Sequence, residues 1–411
     1  MMLYFEQIVI LIFLMFFVYF LNLNYKRYSL TVFNFFSLGY FIFCLLGFLL
    51  SSFYSDRMAM LNYQLDRINL VFDDILVVGG VVVILSLFQK KRNKTFYDGI
   101  TISSEKNISS ASFWVCYFFL LIISAFFLYT VPILNSPLFN VGVYSFEEMS
   151  YYREVFYKNS NLLVIYFLLY IINPVVAFLI GRFKFNFLLL LPLVFTSTLT
   201  LSKTAIVFVL AFFIAGVYLR TLKVRHLLLG FAFILLSFTV IVYGTYMVTI
   251  ERDFIDIAEV FIIRLVAVPI SISAGYEYLY DFNDNYRTSV YYTYIFGGEY
   301  FRADLNACNY FVGKDCTMVT GLIGNSNLNV PYYLKYLYYV FICFFVFITS
   351  VFIQYMLHSK DNLIVVLLGF ISFMFYLSEF TIVLNSYGYL WVLLLVMLYK
   401  LLPKKSFLYE K

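Results

Sequence analysis

Charge is scarce in this 411-residue sequence: 12% of residues are Asp, Glu, Lys or Arg, while 63% are hydrophobic. A soluble domain carries roughly 25% charged residues, so no ordinary water-soluble core absorbs this apolar excess. Histidine is nearly absent. His226 and His358 are the two in the chain, and both fall at the basic ends of apolar runs, which leaves the longest polar segment without a histidine nucleophile or metal ligand. No Walker-type phosphate loop is present, and no Rossmann glycine pattern follows a strand. No internal repeat, heptad array or low-complexity tract appears. Residues 1–7 lack a basic n-region and no small-residue cleavage site follows the first apolar run, so that run is expected to be a retained helix rather than a signal peptide.

What is present is a recurring series of apolar runs close to the twenty residues that cross the roughly 30 Å hydrocarbon core of a bilayer. Eleven spans are expected, at 3–21, 31–50, 75–88, 112–130, 162–180, 187–200, 204–219, 227–249, 336–357, 363–377 and 387–402. One helix over 187–219 would be roughly 50 Å long at about 1.5 Å per residue, too long to span. With Ser202 and Lys203 in its middle, it reads as two shorter helices that meet at a membrane surface. The expected fold is therefore an all-α polytopic integral membrane protein of about eleven transmembrane helices, forming one domain over 1–411.

Lysine and arginine divide the connections into two sets. Lys26, Arg27, Lys90, Lys91, Arg92, Lys94, Lys106, Arg182, Lys184, Arg220, Lys223, Arg225, Lys360, Lys400, Lys404, Lys405 and Lys411 lie on one side, seventeen of the twenty-eight. The short connections on the other side hold Arg57, Arg67, Arg153, Lys158 and Lys203. The first set is expected to be cytoplasmic, with the N-terminus outside and the C-terminus inside. Of the twenty-three acidic residues, Asp98, Glu105, Asp361 and Glu410 alone fall on the cytoplasmic side. Three outward loops follow, at 51–74, 131–161 and 250–335, and the last is the one approaching domain size, with short helices expected within it. The largest inward connection, 89–111, is too short to fold as a nucleotide-sugar domain, so any chemistry uses a substrate delivered in the outer leaflet. The aromatic content, 22% of the chain, is accounted for by interfacial belts and bundle packing.

Candidate functional residues gather on the outward side. Lys203, at the N-terminal end of the second short helix, is either an anion contact beside free backbone N–H groups or a snorkelling helix-end lysine. Glu251, Arg252, Asp253, Asp256 and Glu259, with apolar residues between them, read as an amphipathic helix lying at the interface and ended or kinked by Pro269. Arg264 is embedded in apolar sequence and needs a partner, either a carboxylate such as Asp253 or Glu259 or a ligand phosphate. Arg287, Arg302 and Lys314 lie among tyrosines and carboxylates that include Glu277, a combination suited to an anionic, hydroxyl-rich ligand. Asp73 and Asp74 are expected to be an N-cap pair at the start of the third span, with general-base chemistry as the rival reading. Cys308 and Cys316 are the two cysteines outside the spans and are expected to form a disulfide if the loop faces an oxidising compartment. Cys44, Cys116 and Cys343 read as packing residues.

With these residues in hand, the chain resembles the Wzy-type O-antigen and oligosaccharide repeat-unit polymerases. The span number, the dominant outward loop in the C-terminal half and the Phe, Tyr and Leu richness carry the likeness along most of the length. Locally, Ser202-Lys203 resembles the family's Ser followed by Arg or Lys at the outer end of a helix pair. Arg264 resembles its loop arginine, and Gly321-Leu-Ile-Gly324-Asn325 its glycine-rich approach to the next span. The glycine expected a few residues later is replaced by Asn329-Val-Pro331. An Arg-x10-Gly spacing occurs twice, as Arg264 to Gly275 and Arg302 to Gly313.

The resemblance implies a membrane glycosyltransferase at the periplasmic face of the bacterial inner membrane, acting on undecaprenyl-diphosphate-linked oligosaccharides in lipopolysaccharide biosynthesis. It implies no cofactor, metal or nucleic acid, and a chain-length regulator as a protein partner besides membrane lipid. Such a reaction needs a cationic cradle for the departing diphosphate, for which Lys203, Arg252, Arg264, Arg287 and Arg302 are the candidates. It also needs a carboxylate to take the acceptor proton, and Asp253, Asp256 and Glu277 are chosen by position. An O-antigen ligase is the first alternative, but a functional histidine is expected in its long outward loop. A flippase for lipid-linked oligosaccharide is the second; it would carry charge along its spans and short outward loops.

Overall fold

The computed structural model describes residues 8–13, 15–16, 31–53, 71–89, 110–130, 168–184, 186–199, 203–221, 270, 273, 335–357, 362–376, 383–384 and 388–401. Among the described residues every regular element is helical and no strand occurs. We label the continuous helical segments α1 to α9. The first, α1, is built of Val32–Gly39, a π-helical stretch Tyr40–Leu46, and Gly47–Phe53. Then come α2 (Phe72–Leu87), α3 (Ser110–Thr130) and α4, which joins π-helical Leu168–Ile172, Asn173–Leu179 and π-helical Ile180–Lys184. The 3-10 turn Phe187–Leu190 runs into Leu191–Thr198 as α5, and α6 is Lys203–Thr221. Finally α7 is Lys335–Leu357, α8 is Asn362–Phe373 with a 3-10 end Met374–Tyr376, and α9 is Tyr389–Leu401.

These nine helices fall on nine of the eleven apolar stretches expected to span, residues 8–13 are helical within a tenth, and 227–249 lies outside the described residues. Two segments, Val32–Leu50 and Lys335–Met356, are long and apolar enough to cross a membrane. Along the second, the exposed residues Tyr336, Leu337, Val340, Phe341, Phe344, Ile348, Val351 and Tyr355 are all apolar or aromatic.

Local sequence explains several helix ends. Thr31 caps α1, its hydroxyl accepting the Asn34 N–H at 3.1 Å. Asn186 opens α5 in the same way, accepting from Leu188 N–H at 3.0 Å. Pro192 sits in the first turn of the α-helical part of α5, where its missing N–H is not needed. Pro174 has no N–H to donate in the middle of α4, and the π-helical stretch directly before it is where the regular ladder gives way. Gly388 takes φ +82°, a conformation open to glycine, and its carbonyl accepts the Val392 N–H at 3.0 Å as α9 begins.

The expected break between the sixth and seventh stretches is present: α5 ends at Thr198 and α6 begins at Lys203. The rings of Phe187 and Phe213 lie 5.2 Å apart, so the start of α5 returns beside the second half of α6. The two form a helical hairpin. α4 packs on α6 through glycine, because a Cβ at Gly181 would run into the Phe213 carbonyl and one at Gly216 into the Phe178 carbonyl. Small residues that let backbones touch are how helices associate when burial against lipid supplies no net drive.

A second group, α1, α2 and α7, is pinned by polar contacts at three levels. Gln89 donates to the Thr31 hydroxyl at 3.4 Å, and the Phe33 N–H donates to Ser350 Oγ at 3.2 Å, both at one end of the bundle. Tyr40, mid-way along α1, donates to the carbonyl of Ile75 in the first turn of α2 at 2.8 Å. At the far end Lys335 and Asp74 form an ion pair at 2.7 Å. Phe370 on α8 joins the two groups, its ring 5.6 Å from Phe35 and 5.1 Å from Phe212.

Glycine placement gives a test by thermal unfolding of the detergent-solubilised protein. Gly181→Val and Gly216→Val should each lower stability by about 1–3 kcal/mol or prevent folding, as overpacking of a close contact does. Gly80→Ala, where nothing lies within 4 Å of an added Cβ, should leave the midpoint unchanged.

Candidate functional site

The helices fix which chain segments share an end. Thr31, at the start of α1, meets Gln89, just after α2, so these two helices run in opposite directions and the start of α2 lies at the far end with Asp74. Lys335, the first residue of α7, is at that same end. Lys184 closes α4 with its ammonium 5.6 Å from the Phe113 ring and 5.7 Å from Trp114, which places the start of α3 and the end of α4 together. Gly181 and Gly216 put that end of α4 beside the second half of α6, so the start of α6, at Lys203, lies away from the Lys184 end of α4. The Phe35, Phe370 and Phe212 rings join the two groups near the start of α1 and mid-way along α6. Asp74 and Lys335 share one end, and the charge rule expects Lys203 on the same side.

At that end the best-defined polar cluster is Asp74, Lys335 and Tyr339. Lys335 and Asp74 are buried, with 2% and 6% of their surface exposed. Tyr339, one turn after Lys335 on α7, donates its hydroxyl to Asp74 Oδ2 at 3.1 Å. The Tyr336 ring lies 5.4 Å from the Lys335 ammonium. Asp74 sits in the first turn of α2, where a carboxylate suits the positive end of the helix. Lys335 also sits at a helix start, where a cation is opposed by the same field. Its placement is set by Asp74, not by its own helix.

This corrects the expected N-cap role of Asp73 and Asp74. The residue preceding α2 is Val71, with no side-chain cap. Asp74 turns inward to the ion pair, and Asp73 is exposed. With Oδ1 on the Lys335 ammonium, Oδ2 on the Tyr339 hydroxyl and the side chain buried, this arrangement disfavours the general-base reading of Asp74.

A second polar cluster lies between α4 and α5. Asn173, fully buried, donates from Nδ2 to Thr196 Oγ1 at 3.0 Å and Ser197 Oγ at 3.1 Å. Thr196 and Ser197 close the first arm of the hairpin whose second arm begins at Lys203, so the cluster fixes how that arm sits on α4.

Of the site residues expected from sequence, Lys203 has a described backbone position, as the first residue of α6. Arg252, Asp253, Asp256, Arg264, Glu277, Arg287, Arg302, Cys308 and Cys316 lie outside the described residues, as does the 250–335 loop save for Ile270, Ser273 and Lys335. Ile270 and Ser273, just past Pro269, are helical and buried, and Ile270 packs with the apolar core. Cys44 and Cys343 are free and buried, in keeping with packing roles. Among the described residues no cluster of His, Cys, Asp and Glu has the makings of a metal site.

Sequence reasoning missed the pairing of Asp74 with Lys335. The available signal was that the charge rule puts both at span starts on one side, with opposite sign. No protein-family model, curated protein or solved structure matches the chain.

The ion pair makes a three-variant prediction. Asp74→Asn and Lys335→Met should each destabilise the protein by about 3–5 kcal/mol, because each leaves one buried charge without its partner. The double variant should recover most of that loss in thermal midpoint. If the double variant falls as far as the sum of the singles, the two residues are not coupled.

Proposed function

We propose that this protein polymerises undecaprenyl-diphosphate-linked oligosaccharide repeat units at the periplasmic face of a bacterial cytoplasmic membrane. In the reaction a hydroxyl oxygen of the incoming repeat unit bonds to the anomeric carbon of the growing chain. The bond from that carbon to the diphosphate oxygen breaks, undecaprenyl diphosphate leaves, and the hydroxyl proton passes to a carboxylate. The observation that carries the reading is the meeting of the starts of α2 and α7 at one end of the bundle, on the side where the charge rule also puts Lys203 at the start of α6. Helix starts carry positive partial charge, and with the lysine that opens α6 they favour a diphosphate at that end, while the charge of Lys335 is matched by Asp74.

The charge rule assigns this end to the outside, together with the 250–335 loop and its cations Arg252, Arg264, Arg287 and Arg302. Asp253, Asp256 and Glu277 are the proposed proton acceptors. The helix pairings support the assignment of sides: Thr31 with Gln89 and Lys184 with Trp114 join ends counted as inner, and Asp74 with Lys335 joins ends counted as outer.

A second reading, transport of a lipid-linked oligosaccharide across the membrane, is favoured by one observation, the buried charge pair inside an otherwise apolar bundle. Gene deletion separates the two. Loss of a polymerase leaves lipid A core capped with a single repeat unit, whereas loss of a flippase or of an O-antigen ligase leaves none.

For the site, Lys203→Ala and Arg264→Ala should each cut polymer formation at least about tenfold, the effect of losing roughly 1.4 kcal/mol of transition-state stabilisation, with protein still in the membrane. Gel profiles of surface glycan read this directly. Normal chain length in both variants overturns the site.

A further inference from the structure

Two helices carry outward faces that are apolar along their length and aromatic at both ends. On α3 the face runs from Trp114 through Val115, Phe118, Phe119, Ile122 and Phe126 to Tyr129, all exposed. On α7 it runs from Tyr336 through Leu337, Phe341, Phe344, Ile348 and Val351 to Tyr355. At about 1.5 Å per residue the rims are separated by roughly 22 Å on α3 and roughly 28 Å on α7, close to the hydrocarbon thickness of a bilayer. The rims also agree between helices. Trp114 lies at the Lys184 end of its helix group and Tyr355 at the Gln89 end of its own, the two ends that the charge rule puts on one side, while Tyr129 and Tyr336 lie at the opposite ends.

We propose that these faces are covered by lipid acyl chains, with Trp114 and Tyr355 marking one edge of the bilayer and Tyr129 and Tyr336 the other. Amphipathic rings settle at headgroup level, and a membrane-spanning face needs one such rim at each edge, whereas a contact with a second protein copy has no reason to keep that spacing. Lys335, beside Tyr336, is thereby placed at headgroup depth. The chain's other tryptophan is placed inside the slab. Tyr389 shares a hydrogen bond of 2.7 Å with Thr349 and stacks 5.9 Å from Phe345. Those residues lie roughly 9–15 Å along α7 from Tyr355. Trp391, exposed on α9, is two residues from Tyr389, about 3 Å along the helix.

The chain contains two tryptophans, so each is isolated by a single substitution. The full-length Trp391→Phe protein reports Trp114, and Trp114→Phe reports Trp391. Both are reconstituted in phosphatidylcholine vesicles whose acyl chains are brominated either near the headgroup or near the chain end, and the fluorescence is compared with unbrominated vesicles. Trp114 should be quenched about twofold more by shallow than by deep bromines, and Trp391 the reverse, as expected for an interfacial and an interior indole. Absence of quenching of Trp114 by either lipid means that protein covers the α3 face and overturns the proposal. So does a Trp391 that reads as shallow as Trp114. The result does not depend on which reaction the protein carries out, so failure of the polymerase reading leaves it intact.

Discussion

A polar group buried inside an apolar helix bundle has no water to fall back on, and that constraint organises what holds these helices together. Tyr40 reaches a backbone carbonyl on α2, Ser350 receives a backbone N–H of α1, and Gln89 finds the Thr31 hydroxyl. Asn173 binds two hydroxyls of α5. Each of these contacts joins different segments, because a side chain that bonds within its own helix adds nothing to packing. The ion pair of Asp74 and Lys335 is the extreme case, since either charge alone in that position costs far more than a missing neutral hydrogen bond.

The remainder of the packing comes from shape. In lipid, apolar side chains gain little by leaving one apolar environment for another, so contact depends on close fit. Gly181 and Gly216 provide it between α4 and α6 by bringing backbones together. Gly39 and Gly369 provide it between α1 and α8, where a Cβ would strike the rings of Tyr376 and Phe35. Aromatic rings fill what the glycines leave open, as where Phe36 stacks on Tyr376 at 4.7 Å. High aromatic content and sparing glycine are two sides of one packing scheme.

Much of the architecture was legible in sequence because length and apolarity act locally. The stretches at 31–50, 75–88, 112–130 and 336–357 each hold a helix whose ends lie within a few residues of expectation. The break before Lys203 was legible because an uninterrupted helix would have been too long. What was not legible depends on distance along the chain. Asp74 was read as a cap because its neighbours in sequence suggest one, while its partner lies on α7. The π-helical stretch at Tyr40–Leu46 left no readable trace either, whereas the one before Pro174 had that proline as its signal. Of the site residues proposed from sequence, Lys203 alone falls in a helix that the structure describes.

The separation of Asp74 from its partners bears on how the protein is made. Tyr339 is 265 residues further along the chain than Asp74. At synthesis rates of about 5–20 residues per second, that is on the order of tens of seconds. The contacts of α4, α5 and α6 join near neighbours and are available as soon as α6 has emerged. Asp74 meanwhile stands without Lys335 and gains its buried partner only when α7 has been made. The ion pair is then a late clasp, and the buried end of α2 is completed late in biosynthesis although it is among the first helices made.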